Sequence, residues 1–271
     1  MSVTYDSTRR PPAAVEEFTE LLRYRDLVRQ LVRRDVLTRY KRSVIGIAWT
    51  MLSPLGMMLV LTVAFSGLFG ATRAFAVYLL SGLVAWNFFS QTTTAGMMGL
   101  VWGGALLQRI YVPRTVFAVS ATGAGLVNLT LALVPLLAVM LATGTPVTPA
   151  VAALPPAMLL LAAFALGVGL CLSTVAVYFP DVAEMYQIAL LAWMYLTPII
   201  YPEAIVPEAY RRWLFTFNPM YHLVKLFRLP LYDGTWPAPA QWGAAAVAAL
   251  GALAVGWAVF TRKADEFAYR F

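Results

Sequence analysis

The chain has one cysteine, Cys171, and one histidine, His222, in 271 residues. One cysteine excludes an intramolecular disulfide, and in its apolar run Cys171 reads as a small core residue. One histidine without neighbouring cysteines or clustered acids is a poor metal site, so no metal ligand set is expected. Charge is also scarce: 12% of residues are charged and 61% are hydrophobic. A soluble domain of this size cannot hide so much apolar surface, which makes the chain an integral membrane protein. The motifs of self-contained chemistry are missing as well. There is no G-x-x-x-x-G-K-[ST], so the chain carries no nucleotide-binding loop of its own. HExxH, CxxC and GxSxG are absent. Ion-coupled carriers and proton relays need ionisable groups within the bilayer, and the apolar runs here hold almost none. A membrane glycosyltransferase needs acids at the interface, and only Asp181 with Glu184, or the outer acids, could serve. There is no internal repeat, and the Ala-rich run at 244–254 is ordinary span composition.

What is present is a series of apolar runs. Six are near the roughly 20 residues a bilayer needs: about 44–69, 74–96, 115–142, 151–177, 183–201 and 240–260. The first contains Pro54 and Gly56, which suggests a kink. The last is rich in Ala, Val and Gly, and small residues let it pack closely on protein. Ten of the twenty Lys and Arg precede residue 43. With both termini in the cytoplasm, Arg109, Arg114, Arg262, Lys263 and Arg270 join them inside. Arg73, Arg211, Arg212, Lys225 and Arg228 fall outside. That asymmetry is the topology signal of a multi-pass protein, and it argues against nucleic acid as the reason for a net charge of +7. Residues 1–21 lack a signal-peptide core and read as a flexible cytosolic tail, and 262–271 as a second one.

Residues 22–43 read as an amphipathic interface helix. Tyr24, Leu27, Val28, Leu31, Val32 and Val36 make one apolar stripe, with Arg25, Arg29 and Arg33 on another face. Such a helix lies in the headgroup layer, its arginines near lipid phosphates. Residues 97–114 are too apolar for a free loop. They read either as the extended ends of two spans or as a helix presented to a cytosolic partner. In YFPDVAE at 178–184, Asp181 is placed to cap the next helix. Residues 202–238 are aromatic but broken by Pro202, Pro207, Pro219 and Pro230. They hold two short helical patterns, about 204–216 and from Asn218-Pro219 to about 229, where Asn caps and Pro starts the helix. Neither can span, so both read as interfacial or re-entrant pieces. Their aromatic residues suit a lipid-interface belt, or faces on which sugar rings stack.

Residues 24–56 closely resemble the opening of the membrane subunits of ABC-2 type polysaccharide exporters. The residues that carry the likeness are Arg34, Asp35, Arg39, Tyr40, Lys41, Ser43, Gly46, Trp49 and Pro54. IYVPR at 110–114, YFPD at 178–181, TPIIYP at 197–202 and FNPMYHLVKLFR at 217–228 extend it over nearly the whole chain. Gly103-Gly104 depart from the pattern, since relatives often carry Asn there. The resemblance implies an all-α membrane protein of six transmembrane helices. It adds the interface helix, a cytosolic coupling helix at 97–113 and re-entrant outer helices at 203–229, within a transmembrane domain at 44–261. It implies two copies of the chain forming a channel over two copies of a separate ATP-binding subunit, which would hold the ATP and Mg. This chain would carry no cofactor and no catalytic residue. The cargo would be a lipid-linked glycan of the O-antigen, capsule or teichoic acid kind, crossing a bacterial cytoplasmic membrane.

On that resemblance, Arg34, Asp35, Arg39, Tyr40, Leu107, Gln108, Arg109, Tyr111, Pro113 and Arg114 are candidates for contact with the ATPase. Arg33, Arg34 and Arg39 are candidates for the lipid diphosphate, because Arg binds phosphate bidentately. Trp86, Phe88, Phe89, Tyr201, Phe215, Phe217 and Tyr221 are candidates for the glycan path. The competing readings are an ABC-2 permease for a small drug or lipid and a membrane glycosyltransferase.

Overall fold

The computed structural model describes residues 12–40, 48–69, 74–107 and 112–263. Every regular element among them is helical. The described chain opens with α1 (Ala13–Arg23) and α2 (Arg25–Tyr40). The body is α3 (Ala48–Phe69), α4 (Phe75–Leu107), α5 (Thr115–Ala142), α6 (Leu154–Tyr178) and α7 (Val182–Leu196). Two short helices, α8 (Glu208–Thr216) and α9 (Pro219–Arg228), precede α10 (Pro239–Lys263).

Among the described residues, three stretches are long and apolar enough to cross a bilayer: α5, the run Pro149–Tyr178 containing α6, and α10. The apolar part of α3, Leu52–Phe65, and α7 are shorter. At 33 residues, α4 measures roughly 50 Å at 1.5 Å per residue. Its middle is more polar, carrying Asn87, Ser90, Gln91, Thr92, Thr93 and Thr94.

The core forms around α4. Val77, Leu79, Leu80, Phe89 and Met97 are fully buried along it, flanked by Leu136, Met140, Leu161 and Phe164 from α5 and α6. The small-residue reading of the last span holds. α10 lies on α6 with backbones touching, and a Cβ on Gly167 or Gly256 would strike the facing main chain. The opposite face is bare, with Val247 75% exposed. Val63 and Leu68 on α3 and Ile188 on α7 are as open. In a membrane protein such surfaces meet acyl chains or another transmembrane helix.

The structure departs from the sequence reading in four places. The tail expected over 1–21 is helical from Ala13 and docked. Glu17 Oε1 accepts from the Thr115 backbone N–H at 3.2 Å and from its hydroxyl at 3.0 Å. The Trp257 indole N–H donates to the Ala14 carbonyl at 3.2 Å, and Phe18 meets the same ring edge-on. The interface helix expected over 22–43 is broken from α1 at Tyr24. Its stripe is half-buried against α5, where Val32 sits over Gly123. Residues 97–107 continue α4 without a break, which is the first of the two readings given for that segment. Finally, the run expected over 183–201 is helical only to Leu196. Pro198 has no N–H to give and disfavours a helical residue before it, so the chain leaves the helix at Thr197. Asp181 is the N-cap of α7, but its backbone is helical (φ −64°, ψ −16°) and its side chain makes no capping bond. A capping side chain needs extended backbone to reach round to the N–H groups.

Candidate functional site

The end of the helix bundle that holds α8 and α9 is assembled where α7 stops. Thr197 to Tyr201 run as irregular backbone at the edge of the core, with Ile199 fully buried and Ile200 nearly so. Carbonyl groups freed from the helix there need other donors, because a buried backbone oxygen left unmet is costly. Arg228 supplies two. Its Nη1 donates to the Pro198 carbonyl at 2.8 Å, and its Nη2 lies 3.5 Å from the Ile199 oxygen. The guanidinium is stacked 3.7 Å from the centre of the Tyr78 ring. The Tyr78 hydroxyl donates to the Tyr201 carbonyl at 2.9 Å. Arg228 is only 5% exposed, although it closes an amphipathic helix. Burial pulls its pKa down while Tyr78, Glu203 and Asp233 act against the shift; the guanidinium keeps its charge. Gly82 makes room for it, since a Cβ there would lie 2.9 Å from Arg228 Nη2.

Asn218 is the second fastening. As the Asn-Pro pair suggests, it caps α9, its side-chain oxygen accepting from the Met220 N–H at 3.1 Å. The same oxygen accepts from the Trp193 indole at 2.9 Å, and its amide donates to the Thr197 hydroxyl at 2.9 Å. One side chain therefore ties the start of α9 to the end of α7.

A polar triad stands beside them. The Tyr221 hydroxyl donates to Glu203 Oε2 at 3.0 Å and accepts from Lys225 Nζ at 2.8 Å. Burial pushes the Tyr221 phenol up, with the Lys225 hydrogen bond pulling against it. For Lys225 burial pulls downward, but the Tyr221 hydrogen bond and the Glu203 charge outweigh it and the ammonium is raised. Phe215 lies flat on Tyr221 with ring centres 4.5 Å apart. Trp213 and Phe217 stack on each other at 5.4 Å and are 69% and 72% exposed.

The predicted residues fall into separate groups. Trp86 and Phe89 are core, locked with Trp193 and, for Phe89, Phe164. Phe88 instead lines a cavity of about 660 Å³ between α2, α3, α4 and α5. Tyr201, Phe215 and Tyr221 gather around the end of α7, and Phe217 is exposed beside them. On α2 Arg33 and Arg34 are exposed, and Arg34 forks onto its neighbour Asp35 at 2.9 and 3.1 Å. Pro113 is buried and Arg114 half-buried at the start of α5. Gln108, Arg109 and Tyr111, and the side chains of Arg39, Tyr40 and Leu107, lie outside the described residues.

Arg228, Asn218 and Glu17 were not singled out by function in the sequence. Asn218 had a local signal in the following proline. Arg228 read as one more outer cation. Its partners sit about thirty and 150 positions away.

The ABC-2 type transporter family matches residues 26–232. The chain is 28% identical over 251 residues to the O-antigen export system permease protein RfbA of Myxococcus xanthus, covering 92% of this chain and 96% of that one. Its likeness to RfbA of Klebsiella pneumoniae is 24% over 78% of this chain and 82% of the relative. With the polysialic acid transport protein KpsM of Escherichia coli it shares 25% over 76% and 81%. The family match runs from the start of α2 through Asn218, Arg228 and the turn after α9, so it takes in both fastenings around the end of α7: the chain belongs to the ABC-2 type transporter family.

Proposed function

We propose that this chain is the channel-forming membrane subunit of an ATP-driven exporter, and that it moves a lipid-linked polysaccharide out across the cytoplasmic membrane. The observation that carries this reading is the likeness to an O-antigen export permease over 92% of this chain. The chain spans the bilayer six times with both termini inside, α3, α4 and α7 completing the set begun by α5, α6 and α10. Two copies enclose the path, and two copies of an ATP-binding subunit sit beneath α2 and the 97–113 segment, which includes Pro113. Arg34, Asp35, Arg39, Tyr40, Leu107, Gln108, Arg109, Tyr111 and Arg114 face that subunit. The bare apolar faces of α3 and α7 support a second copy, because lipid-exposed helices also pair through such surfaces.

The cationic face of α2 supports a phosphate-handling role. Arg25, Arg29 and Arg33 stand exposed, and bidentate arginine suits a lipid diphosphate. Arg33, Arg34 and Arg39 are its contacts in this reading. The exposed Trp213 and Phe217 faces, with Phe215 and Tyr221 behind them, suit sugar rings leaving the outer end.

Affinity purification in mild detergent, with stoichiometry measured, tests the assembly. An ATPase recovered one to one with this chain is the expected result. The chain recovered alone, under conditions that keep a known ABC complex intact, would overturn the reading and favour a membrane glycosyltransferase. Replacing Arg33, Arg34 and Arg39 together by alanine tests the lipid contact: export is expected to fall while protein abundance holds. Unchanged export sinks that role.

A further inference from the structure

The docking of α1 leaves an apolar stripe open. Val15, Phe18 and Leu22 stand at helical spacing on one side of the helix, and each is more than half exposed. Glu16, Glu20 and Arg23 fall on the other side. The bonds that hold α1 come from between the two: Glu17 grips Thr115, and the Ala14 carbonyl accepts from the Trp257 indole. What the stripe meets depends on where α1 sits along α10. Leu250 and Ala254 are exposed and lie on the same side of α10 as Trp257, two turns and one turn before it. Because α10 is long and apolar enough to cross a bilayer, that side borders the apolar layer as far as Trp257. Little more than one turn later α10 ends in Arg262 and Lys263, both exposed, and basic residues at the end of a span stand at headgroup level. Trp257 therefore marks the boundary, where an indole has one apolar and one wet surface to satisfy, and α1 is tied to that boundary through it. The stripe of α2 is no equal candidate, because it is already half-buried against α5. Unlike α2, α1 also precedes the family match, which begins at residue 26.

We propose that α1 lies along the bilayer surface where α10 leaves it, with Val15, Phe18 and Leu22 set into the acyl chains. Its hold is apolar and indifferent to lipid charge, since Glu16, Glu17 and Glu20 outnumber Arg23. Thr115 and Trp257 have already fixed the helix in place, so three side chains suffice where a free peptide needs more. What this requires is that α10 cross the bilayer; neither export nor an ATPase enters.

The test is fluorescence quenching of the full-length chain in phosphatidylcholine vesicles, with iodide on both sides of the membrane as the aqueous quencher. In a Cys171→Ser background, a fluorophore is attached to one new cysteine at a time, through Leu22→Cys, Arg23→Cys or Val247→Cys. The Leu22 label is expected to be quenched about twofold by lipid brominated near the head of its acyl chain, less by lipid brominated at the chain end, and hardly by iodide, because such a helix sits only about 5–10 Å deep. The Arg23 label is expected to answer to iodide and not to bromine. Val247, on the bare face of α10, is expected to be quenched best by the deep bromine; if it is not, α10 does not cross the bilayer and the proposal falls with it. A Leu22 label open to iodide means that the stripe faces water, and one shielded from both quenchers means that protein covers it. Either result overturns the proposal. So does bromine quenching at Leu22 that appears only once anionic lipid is added, since charge and not the stripe would then hold the helix.

Discussion

Two sets of arginines end up in opposite circumstances. Arg25, Arg29, Arg33 and Arg34 of α2 are exposed, and the ion pairs at Arg29 and Arg34 are made to Asp26 and Asp35 on the same helix. Arg228 closes a helix of similar amphipathic pattern, yet it is buried on a tyrosine ring with carbonyls as its acceptors. The difference lies in what the neighbouring chain needs. Around α2 the backbone is helical and self-satisfied. Beside Arg228, α7 has ended early and left carbonyls buried at the edge of the core, where a donor from the protein meets them. A cation near a membrane is therefore a solvated anchor or an internal fastener according to whether nearby backbone is short of donors. Counting charge on each side of the bilayer treats both alike.

Substitutions sharpen that contrast. Replacing Arg228 by Leu is expected to cost most, about 2–3 kcal/mol, through carbonyls left short of a donor and the lost ring contact. Thermal unfolding in detergent reads this directly. Lys is expected to recover less than half, because it lacks the planar fork. An unchanged melt for Arg228→Leu would mean that the cost of burying the charge cancels its bonds, and the contrast would collapse. Asn218→Ala removes a cap and the partner of Trp193 together, and is expected to cost about 1–2 kcal/mol in the same melt. Gly82→Ala pushes a methyl at Arg228 Nη2 without touching any charge. A loss of about 1 kcal/mol is expected, as for a modest overpacking; no loss would mean that the guanidinium is free to shift.

The half-buried triad falls between the extremes. Glu203→Gln is expected to cost under about 1 kcal/mol, since Lys225 and Glu203 remain partly solvated. Lys225 is raised above 10.5 in the folded chain. Its contribution is thus fully present below that pH and lost as the pH climbs through the raised value. The Glu203→Gln deficit should therefore be constant between neutral and mildly alkaline buffers and should shrink only beyond them. Smallest of all, Arg29→Ala is expected to move the melt by a few tenths of a kcal/mol, as for an exposed pair on one helix. A loss rivalling that of Arg228→Leu would erase the distinction between the two sets.

Local signals carried much of this fold. Apolar run length located the bodies of the long helices, Asn-Pro located the start of α9, and the Gly- and Ala-rich composition of α10 anticipated its close packing on α6. What could not be read came from partners far along the chain. The early end of α7 is tolerable because Arg228 and Tyr78 meet it from elsewhere. α1 looks like a polar tail until Thr115 and Trp257 are brought to it. The aromatic residues of α4 show the limit most plainly. Trp86, Phe88 and Phe89 are near neighbours in sequence and all three are buried, yet only Phe88 also lines a cavity, because the helical turn of roughly 100° per residue separates them and the surrounding helices decide what each side meets.

The docking of α1 also sets an order of assembly. Its hydrogen bond from Trp257 joins positions 243 residues apart. At a synthesis rate of about 5–20 residues per second, α1 waits on the order of 10 s or more before its partner helix has been made. For that interval the first helix must remain soluble or rest on the membrane surface, and its apolar side is available to a chaperone. Closing it over α10 and the start of α5 is then among the last acts of folding, and serves as a latch that only a completed chain can fasten.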